Sequence, residues 1–186
     1  MERREEYSLV LDYLPYGKSG EAQREPVAQV IGESYYTLLE VVPKIEAKLK
    51  AGDRVYIGGG ERDKIDHVKG RVSWRDLTSS AQNEAKALLK KMVKEREAFF
   101  VDFFNRAGPI NIRAHTLEHI PSVGKKHLSA ILDARDRKKF ESFEDVRSRV
   151  PHLRHVEDLL VERIVHELEG EAKYYLFTKP PARHEE

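Results

Sequence analysis

The spacing of apolar residues changes after Trp74, and this change constrains the fold more than any other feature of the sequence. Before Trp74, short segments rich in β-branched and aromatic residues alternate with turns, which is typical of strands. After Trp74, apolar residues recur three, four or seven positions apart, which is the period of an amphipathic helix. The sequence therefore predicts an α+β protein in which strands come first and helices follow.

The strand-rich part, residues 6–73, is predicted to form a five-stranded OB-like β-barrel. The alternation that begins at Tyr7 places Tyr7, Leu9, Leu11 and Tyr13 on one face, so we expect both tyrosines in the core. The other strands are predicted over residues 26–31, 35–42, 53–57 and 65–72. Between the third and fourth strands, residues 44–50 are predicted to form a short helix.

A long helix over residues 75–110 is predicted to connect this barrel to the rest of the chain. Ser79 and Gln82 have capping-box spacing, which places the start of the helix near Ser79, and Gly108-Pro109 ends it. Its apolar stripe is formed by Ala81, Ala85, Leu88, Met92, Phe99 and Phe103, widened by Leu89, Val93, Phe100 and Phe104. So broad an apolar face indicates a structural helix rather than a ligand site.

Residues 111–168 have a helical pattern with two short interruptions. Both interruptions read apolar-Pro-X-apolar, first as Ile120-Pro121-Ser122-Val123 and then as Val150-Pro151-His152-Leu153, which is a weak internal repeat. The predicted domains are therefore the barrel at 1–74, the connecting helix at 75–110, a helical domain at 111–178 and a loose tail at 179–186.

The net charge of +1 conceals an uneven distribution of charge. Residues 113–139 carry 7 Lys/Arg and 3 Asp/Glu, a net +4, whereas residues 141–171 carry 4 and 9, a net −5. Two solvated helical faces of opposite sign would give the same totals, so charge alone does not identify a binding surface.

The first interruption carries the most specific chemistry in the chain. Gly124 keeps side-chain atoms away from the backbone where a helix begins, and the first amides of a helix favour an anion. Lys125 and Lys126 add two cations beside these amides, and Arg135 is predicted to extend the contact. A phosphate group suits this arrangement, which would contact the backbone of a nucleic acid rather than its bases.

The segment Ile120-Pro121-Ser122-Val123-Gly124-Lys125 resembles the helix-hairpin-helix family, whose hairpin reads apolar-Pro-Gly-apolar-Gly followed by a basic residue. Ser122 replaces the first glycine of that pattern. The second interruption departs further, because Arg154 replaces the second glycine. The resemblance implies a phosphate-binding role for Ser122, Val123, Gly124, Lys125 and Lys126, and the competing interpretation is an ordinary corner between two helices.

Nearly the whole chain also resembles an archaeal family of uncharacterised proteins, domain of unknown function 655. The resemblance is carried by the strand from Glu6-Tyr7 to Gly17, by the segment from Gly52 to Gly58, and by Ile120 to Lys126. It implies an OB-like barrel joined to tandem helix-hairpin-helix elements. It also implies nucleic-acid binding, with RNA favoured over DNA and no assigned reaction.

The barrel is a second candidate surface. If Val55 and Ile57 face inward, then Arg54 and Tyr56 face outward, with Lys69 and Arg71 expected nearby. OB-folds stack nucleic-acid bases on aromatic rings between basic side chains, although tyrosine also commonly fills a strand face.

Other classes of function have less support. The chain has no cysteine, His115 and His119 lack further metal ligands, and no catalytic motif is present, so we expect no metal, no cofactor and no enzymatic activity. No apolar run or leader indicates a membrane or secreted protein, so we expect a cytoplasmic location. The alternative function is a protein-protein interaction module in a nucleic-acid-processing or translation complex. The sequence leaves the oligomeric state open.

Overall fold

The computed structural model describes residues 4–181 of the protein. Two compact units divide the chain, one formed by residues up to Leu88 together with those from His166 onward, the other by Leu89–Val165. This division differs from the predicted domains, because the long helical segment is shared between the units and the C-terminal segment returns to the first. The predicted mixed α+β class is confirmed.

Five antiparallel strands form the sheet of the first unit. They are β1 (Tyr7–Leu14), β2 (Val27–Gly32), β3 (Leu38–Pro43), β4 (Arg54–Tyr56) and β5 (Ile65–Arg71), in the order β4-β1-β2-β3-β5. The predicted number of strands is therefore confirmed. The sheet is curled as a half-barrel, and no ladder joins its edge strands β4 and β5 within residues 4–181. Closure into a barrel is not observed.

A β-bulge in β1 changes which side chains reach the core. Val10 pairs with Val30, but the next pair is Asp12 with Gln29, so Leu11 is an extra residue in the strand. Ser8 and Val10 are fully buried before the bulge, whereas Tyr7 is only half-buried. The expected core position of Tyr7 is therefore wrong.

Beyond the bulge, Tyr13 packs against the core cluster. Its core position is confirmed, because the extra residue returns the alternation to the face that Val10 occupies before the bulge.

The first unit contains a cluster of buried apolar residues. It contains Val10, Ala28, Val30, Val41, Leu49, Val55, Ile57 and Ile65. The predicted helix over residues 44–50 is wrong, because this segment is a turn followed by irregular chain. Leu49 is buried but Ile45 is fully exposed, so the segment does not present the continuous apolar face that would stabilise a short helix.

Two helices replace the predicted long one. Helix α1 (Ser79–Glu95) begins at the predicted residue, but Thr78 caps it by accepting a hydrogen bond from the amide of Ala81 at 3.0 Å. Arg96, with φ −106° and ψ 30°, interrupts the helix before α2 (Glu97–Arg106). After the break, Phe100 and Phe104 are buried, whereas Phe99 is half exposed. The buried apolar stripe of α2 is therefore narrower than the stripe predicted from the sequence.

The segment before the first interruption is not α-helical, which corrects the prediction for residues 111–119. Strands β6 (Pro109–Asn111) and β7 (Ala114–His115) form a small hairpin, and a single 3₁₀ turn follows at Thr116–His119. The amide of Arg113 donates to the side chain of Asn111 at 2.8 Å, which stabilises the turn between the two strands.

Helices follow over the rest of the predicted helical region. They are α3 (Lys125–Arg137), α4 (Phe143–Arg149) and α5 (Val156–Leu168). None of the helices within residues 4–181 is long and apolar enough to cross a membrane.

The C-terminal segment is held by a buried carboxylate in the first unit. Glu167 is 1% exposed and accepts hydrogen bonds from the amides of Leu176, Phe177 and Thr178 at 2.7–3.1 Å. Lys179 packs over the ring of Tyr35, so the predicted loose tail does not begin at residue 179. Residues 182–186 of the predicted tail lie outside the described residues.

Candidate functional site

The first interruption is a tight turn whose third residue has a left-handed backbone. The amide of Val123 donates to the carbonyl of Ile120 at 3.1 Å, and Ser122 has φ +65°. Proline in second place and positive φ in third place are the pattern of a type II turn, which favours glycine in third place. Ser122 therefore occupies a conformation in which the helix-hairpin-helix pattern has glycine.

The second interruption has the same backbone signature. His152 has φ +61° and follows Pro151, as Ser122 follows Pro121. The buried residues Val123 and Leu153 come next in the two turns. The weak sequence repeat therefore corresponds to a repeated left-handed residue after proline in the two turns.

Helix α3 begins without a side-chain cap. Gly124 is the N-cap residue, with φ −91° and ψ −170°, and its carbonyl accepts the amide of Leu128 at 2.9 Å. No described side chain accepts a hydrogen bond at this N-terminus. The amides of the first helical turn, from Lys125 to His127, are therefore available to an external acceptor.

Nothing in the described fold requires glycine at position 124. The backbone angles are open to any residue, and a Cβ atom built there meets no other group within 4 Å. The backbone is exposed at this point. A Cβ atom is therefore tolerated by the described chain, and side chains at the N-cap position generally lie next to the first amides of a helix.

Lys125 is held by an acidic residue of the preceding turn. Its Nζ lies 2.6 Å from Oε1 of Glu118, while Oε2 of Glu118 accepts the amide of His115 at 2.8 Å. Both interactions lower the pKa of Glu118, the ion pair with Lys125 more than the amide. The positive charge of Lys125 is thus partly neutralised within residues 116–126, which we call the first hairpin.

His115 is the N-cap residue of the same 3₁₀ turn. Its Nδ1 accepts a hydrogen bond from the amide of Leu117 at 3.1 Å, which requires an unprotonated nitrogen. Burial is the main reason that the pKa of His115 is lowered, and the positive charge of Arg135 lowers it further. His115 is therefore neutral when this 3₁₀ turn is folded.

Lys126 is the exposed cation beside the open amides. It is solvent-exposed, and no hydrogen bond or ion pair is described for it. Arg154 belongs to the second interruption, residues 150–154, which we call the second hairpin. Its Nη1 lies 3.5 Å from the hydroxyl of Ser122, so it places another cation close to the first hairpin. Its Nη2 is bound to Glu162 at 2.8 Å, so Arg154 bridges the two hairpins with part of its charge neutralised.

Arg135 has a structural role that the sequence did not reveal. Its Nη1 donates to the carbonyls of Phe104 and Ala107 at 3.0 and 2.6 Å, which satisfies carbonyl groups at the end of α2. Val123 likewise uses its amide in the turn and buries its side chain. The hairpin therefore presents Ser122, Gly124, Lys125 and Lys126 at its surface, but not Val123.

The outward positions of Arg54 and Tyr56 on the sheet are confirmed, because Val55 and Ile57 are buried. The guanidinium of Arg54 lies 3.6 Å from the ring centroid of Tyr7. Tyr56 packs edge-on against the same ring at 5.2 Å. The sequence missed Tyr7 as a member of this surface because the β-bulge was not foreseen.

Two further contacts hold this aromatic cluster in place. Glu33 binds Arg54 through two hydrogen bonds of 2.6 and 3.0 Å, and this pairing raises the pKa of Arg54. The hydroxyl of Tyr56 accepts the amide of Gly60 at 3.1 Å. Lys69, which was expected nearby, lies on the opposite edge strand and contacts Glu21.

Metal ions in proteins are held by groups of several ligand side chains. No group of three or more His, Asp or Glu side chains within residues 4–181 is placed to hold a metal ion. The spacing of His115 and His119 therefore does not extend to a ligand set among these residues.

Comparison with known proteins places the chain in a family. Residues 4–179 match the family model described as "Protein of unknown function (DUF655)". The chain belongs to this family. An uncharacterised protein of Methanocaldococcus jannaschii, MJ0038, is 42% identical over 177 residues, which cover 94% of this chain and 80% of that protein.

A solved structure of a DUF655 protein has a similar fold. The crystal structure of Af1531 from Archaeoglobus fulgidus superimposes with a TM-score of 0.87 at 43% sequence identity. The match covers 94% of this chain and 100% of the other. The α+β fold with its curled sheet is therefore shared within the DUF655 family.

Proposed function

We propose that this DUF655 protein binds nucleic acid without catalysing a reaction, and that the first hairpin contacts the phosphate backbone. In this proposal the two interruptions are tandem helix-hairpin-helix elements, and the half-barrel is an open OB-like sheet. RNA is the favoured polymer, on the family resemblance alone, and DNA is the alternative.

The observation that carries the proposal is Gly124 at the start of α3. Glycine there relieves no backbone strain and avoids no clash within the described chain. It does leave the first amides of α3 uncovered, and the helix dipole adds a partial positive charge at the same point. A phosphate oxygen is an acceptor of suitable size and charge for these amides.

Lys126 is the side chain best placed to strengthen such a contact. It is exposed beside the open amides and has no described partner, whereas Lys125 is bound to Glu118. A lysine acts on phosphate mainly as a point charge, so the contact should depend weakly on base sequence and strongly on salt.

The hairpin is tested by measuring affinity at several salt concentrations. Lys126→Gln should weaken binding to all sequences alike and flatten the slope of log affinity against log salt by about one unit. Lys94→Gln is the matched control, because Lys94 is another exposed lysine of the second unit with no described ion pair. An unchanged slope for Lys126→Gln would remove this hairpin from the binding surface.

Gly124→Val tests the backbone contribution without changing any charge. A Cβ atom at position 124 meets no other described group within 4 Å, so circular dichroism and thermal unfolding should show a folded chain. Binding should nevertheless fall as strongly as in Lys126→Gln, because the side chain keeps the phosphate away from the amides. Normal binding by this folded variant would favour an ordinary helical corner.

A further inference from the structure

The cluster of Tyr7, Arg54 and Tyr56 in the first unit rests on a tyrosine that the fold holds in place. The hydroxyl of Tyr56 accepts the amide of Gly60 at 3.1 Å. A Cβ atom at position 58 would collide with the ring and hydroxyl of Tyr56, so this ring position requires Gly58. Tyr56 in turn packs edge-on against Tyr7, which limits the movement of the second ring.

One face of the Tyr7 ring is covered by Arg54. The Cζ atom of Arg54 lies 3.6 Å from the ring centroid, a distance at which a guanidinium group stacks on an aromatic face. A nucleic-acid base cannot stack on this face of Tyr7 while the guanidinium lies there. Any base contact at this point of the cluster is therefore made with Arg54 rather than with the ring beneath it.

Glu33 fixes the plane of the guanidinium. Its Oε1 accepts a hydrogen bond from Nε of Arg54 at 2.6 Å, and its Oε2 accepts one from Nη2 at 3.0 Å. Two parallel hydrogen bonds of this kind define the orientation of the arginine, and the carboxylate offsets its charge. A phosphate gains less from a cation that is already paired in this way, so Arg54 is poorly suited to be a phosphate ligand.

The guanidinium nevertheless remains accessible. The side chain of Arg54 is 54% exposed, although Tyr7 covers one of its faces and Glu33 one of its edges. The exposed part therefore includes the face away from Tyr7. A guanidinium plane that is both fixed and exposed is a surface on which unpaired bases stack.

We propose that this face of Arg54 holds one unpaired base of a single-stranded nucleic acid, and that Glu33 is a positioning residue that keeps the guanidinium in place. The inference rests on the proposed function and adds to it a contact with bases. Tyr7, Arg54 and the base form the stack in this order. Because Glu33 offsets the charge of Arg54, the contact adds affinity with little dependence on salt.

The base contact is measured with two single-stranded ligands of equal length, an unstructured RNA oligonucleotide and an abasic strand with the same number of phosphates. The unsubstituted full chain should prefer the RNA oligonucleotide. Arg54→Lys keeps the positive charge but removes the planar group, so this preference should fall roughly fivefold. The slope of log affinity against log salt should not change, because the number of cations is the same.

Arg75→Lys is the matched control for this substitution. Arg75 is an exposed arginine of the same unit that is paired with Glu171, and no ring contact is described for it. This control should show the same preference for RNA over the abasic strand as the unsubstituted protein. Circular dichroism of both variants checks that each is folded.

Glu33→Gln distinguishes positioning from simple masking of a charge. If Glu33 positions Arg54, loss of the paired hydrogen bonds should lower the preference for RNA over the abasic strand. If Glu33 only masks Arg54 from phosphate, the variant should bind both strands more tightly, with a steeper salt slope and an unchanged preference. The second result would overturn the proposal.

The same titrations separate this inference from the proposed function. Equal binding of the two strands by the unsubstituted protein, or an undiminished preference in Arg54→Lys, would remove the base contact and leave the hairpin contact standing. If neither strand is bound, the proposed function fails together with the base contact. The salt slope of Lys126→Gln is measured on the abasic strand, where the hairpin contact is tested without any bases.

Discussion

Lys125 and Glu118 form an ion pair across the first hairpin, with 2.6 Å between Nζ and Oε1. Glu118 therefore competes with any phosphate group for the positive charge of Lys125. The two neighbouring lysines of the hairpin are therefore unequal, because Lys126 has no described partner. Their contributions to nucleic-acid binding should differ for this reason.

Glu118→Gln should increase the affinity for nucleic acid and steepen its salt dependence by up to about one unit, because Lys125 becomes free to contact a phosphate. Glutamine still satisfies the capping box with His115, so the 3₁₀ turn should remain folded. Salt titrations of Glu118→Gln and Lys125→Gln measure this effect. Identical salt slopes for Glu118→Gln and the unsubstituted protein would contradict the proposed competition.

Ser122→Gly should stabilise the protein by about 1 kcal/mol, because glycine adopts the left-handed conformation without the steric cost that a Cβ atom imposes. Ser129→Gly is the matched control, since Ser129 lies within α3 and glycine there should destabilise by about 0.5 kcal/mol. Chemical denaturation of both variants provides the free energies of unfolding. A loss of stability in both would show that the turn at Ser122 is not strained.

The free energy of unfolding should fall as the pH falls below 6.5, partly because of His115. The folded-state pKa of His115 lies below its ordinary value of 6.5, so the unfolded chain binds the proton more readily. The stability associated with neutral His115 is therefore complete above pH 6.5 and is lost towards the folded-state pKa.

His115→Asn tests this pH dependence, since asparagine can also cap the turn but does not titrate. Denaturation of both proteins between pH 5 and pH 8 should show a smaller loss on acidification in the variant. Equal losses in the two proteins would contradict the role assigned to His115.

Tyr56→Ala should weaken the binding of single-stranded nucleic acid by roughly 1–3 kcal/mol and leave duplex binding almost unchanged, if the sheet surface stacks bases. Tyr16→Ala is the control, because Tyr16 is 83% exposed and stands outside the aromatic cluster. Filter binding with both polymers measures the difference. Equal losses on single strand and duplex would indicate that Tyr56 serves only to hold Tyr7 and Gly60.

The local sequence determined the main elements of this fold. The change in apolar period after Trp74 correctly separated strands from helices, because the faces of strands and helices depend on neighbouring residues alone. The Pro121 and Pro151 turns were located for a similar reason, as proline restricts its own backbone and the residue before it. The repeated left-handed residue in third place makes these turns alike in structure as well as in sequence.

Tertiary structure decided which side chains are available at the candidate sites. With the β-bulge at Leu11, Tyr7 lies outside the core. A bulge depends on how two strands pair, so the alternation within one strand does not predict it. Arg135 donates hydrogen bonds to carbonyl groups at the end of α2, which lies about 30 residues earlier in the chain, so it is not available at the first hairpin. Such relationships join residues far apart in sequence, so no local pattern predicts them.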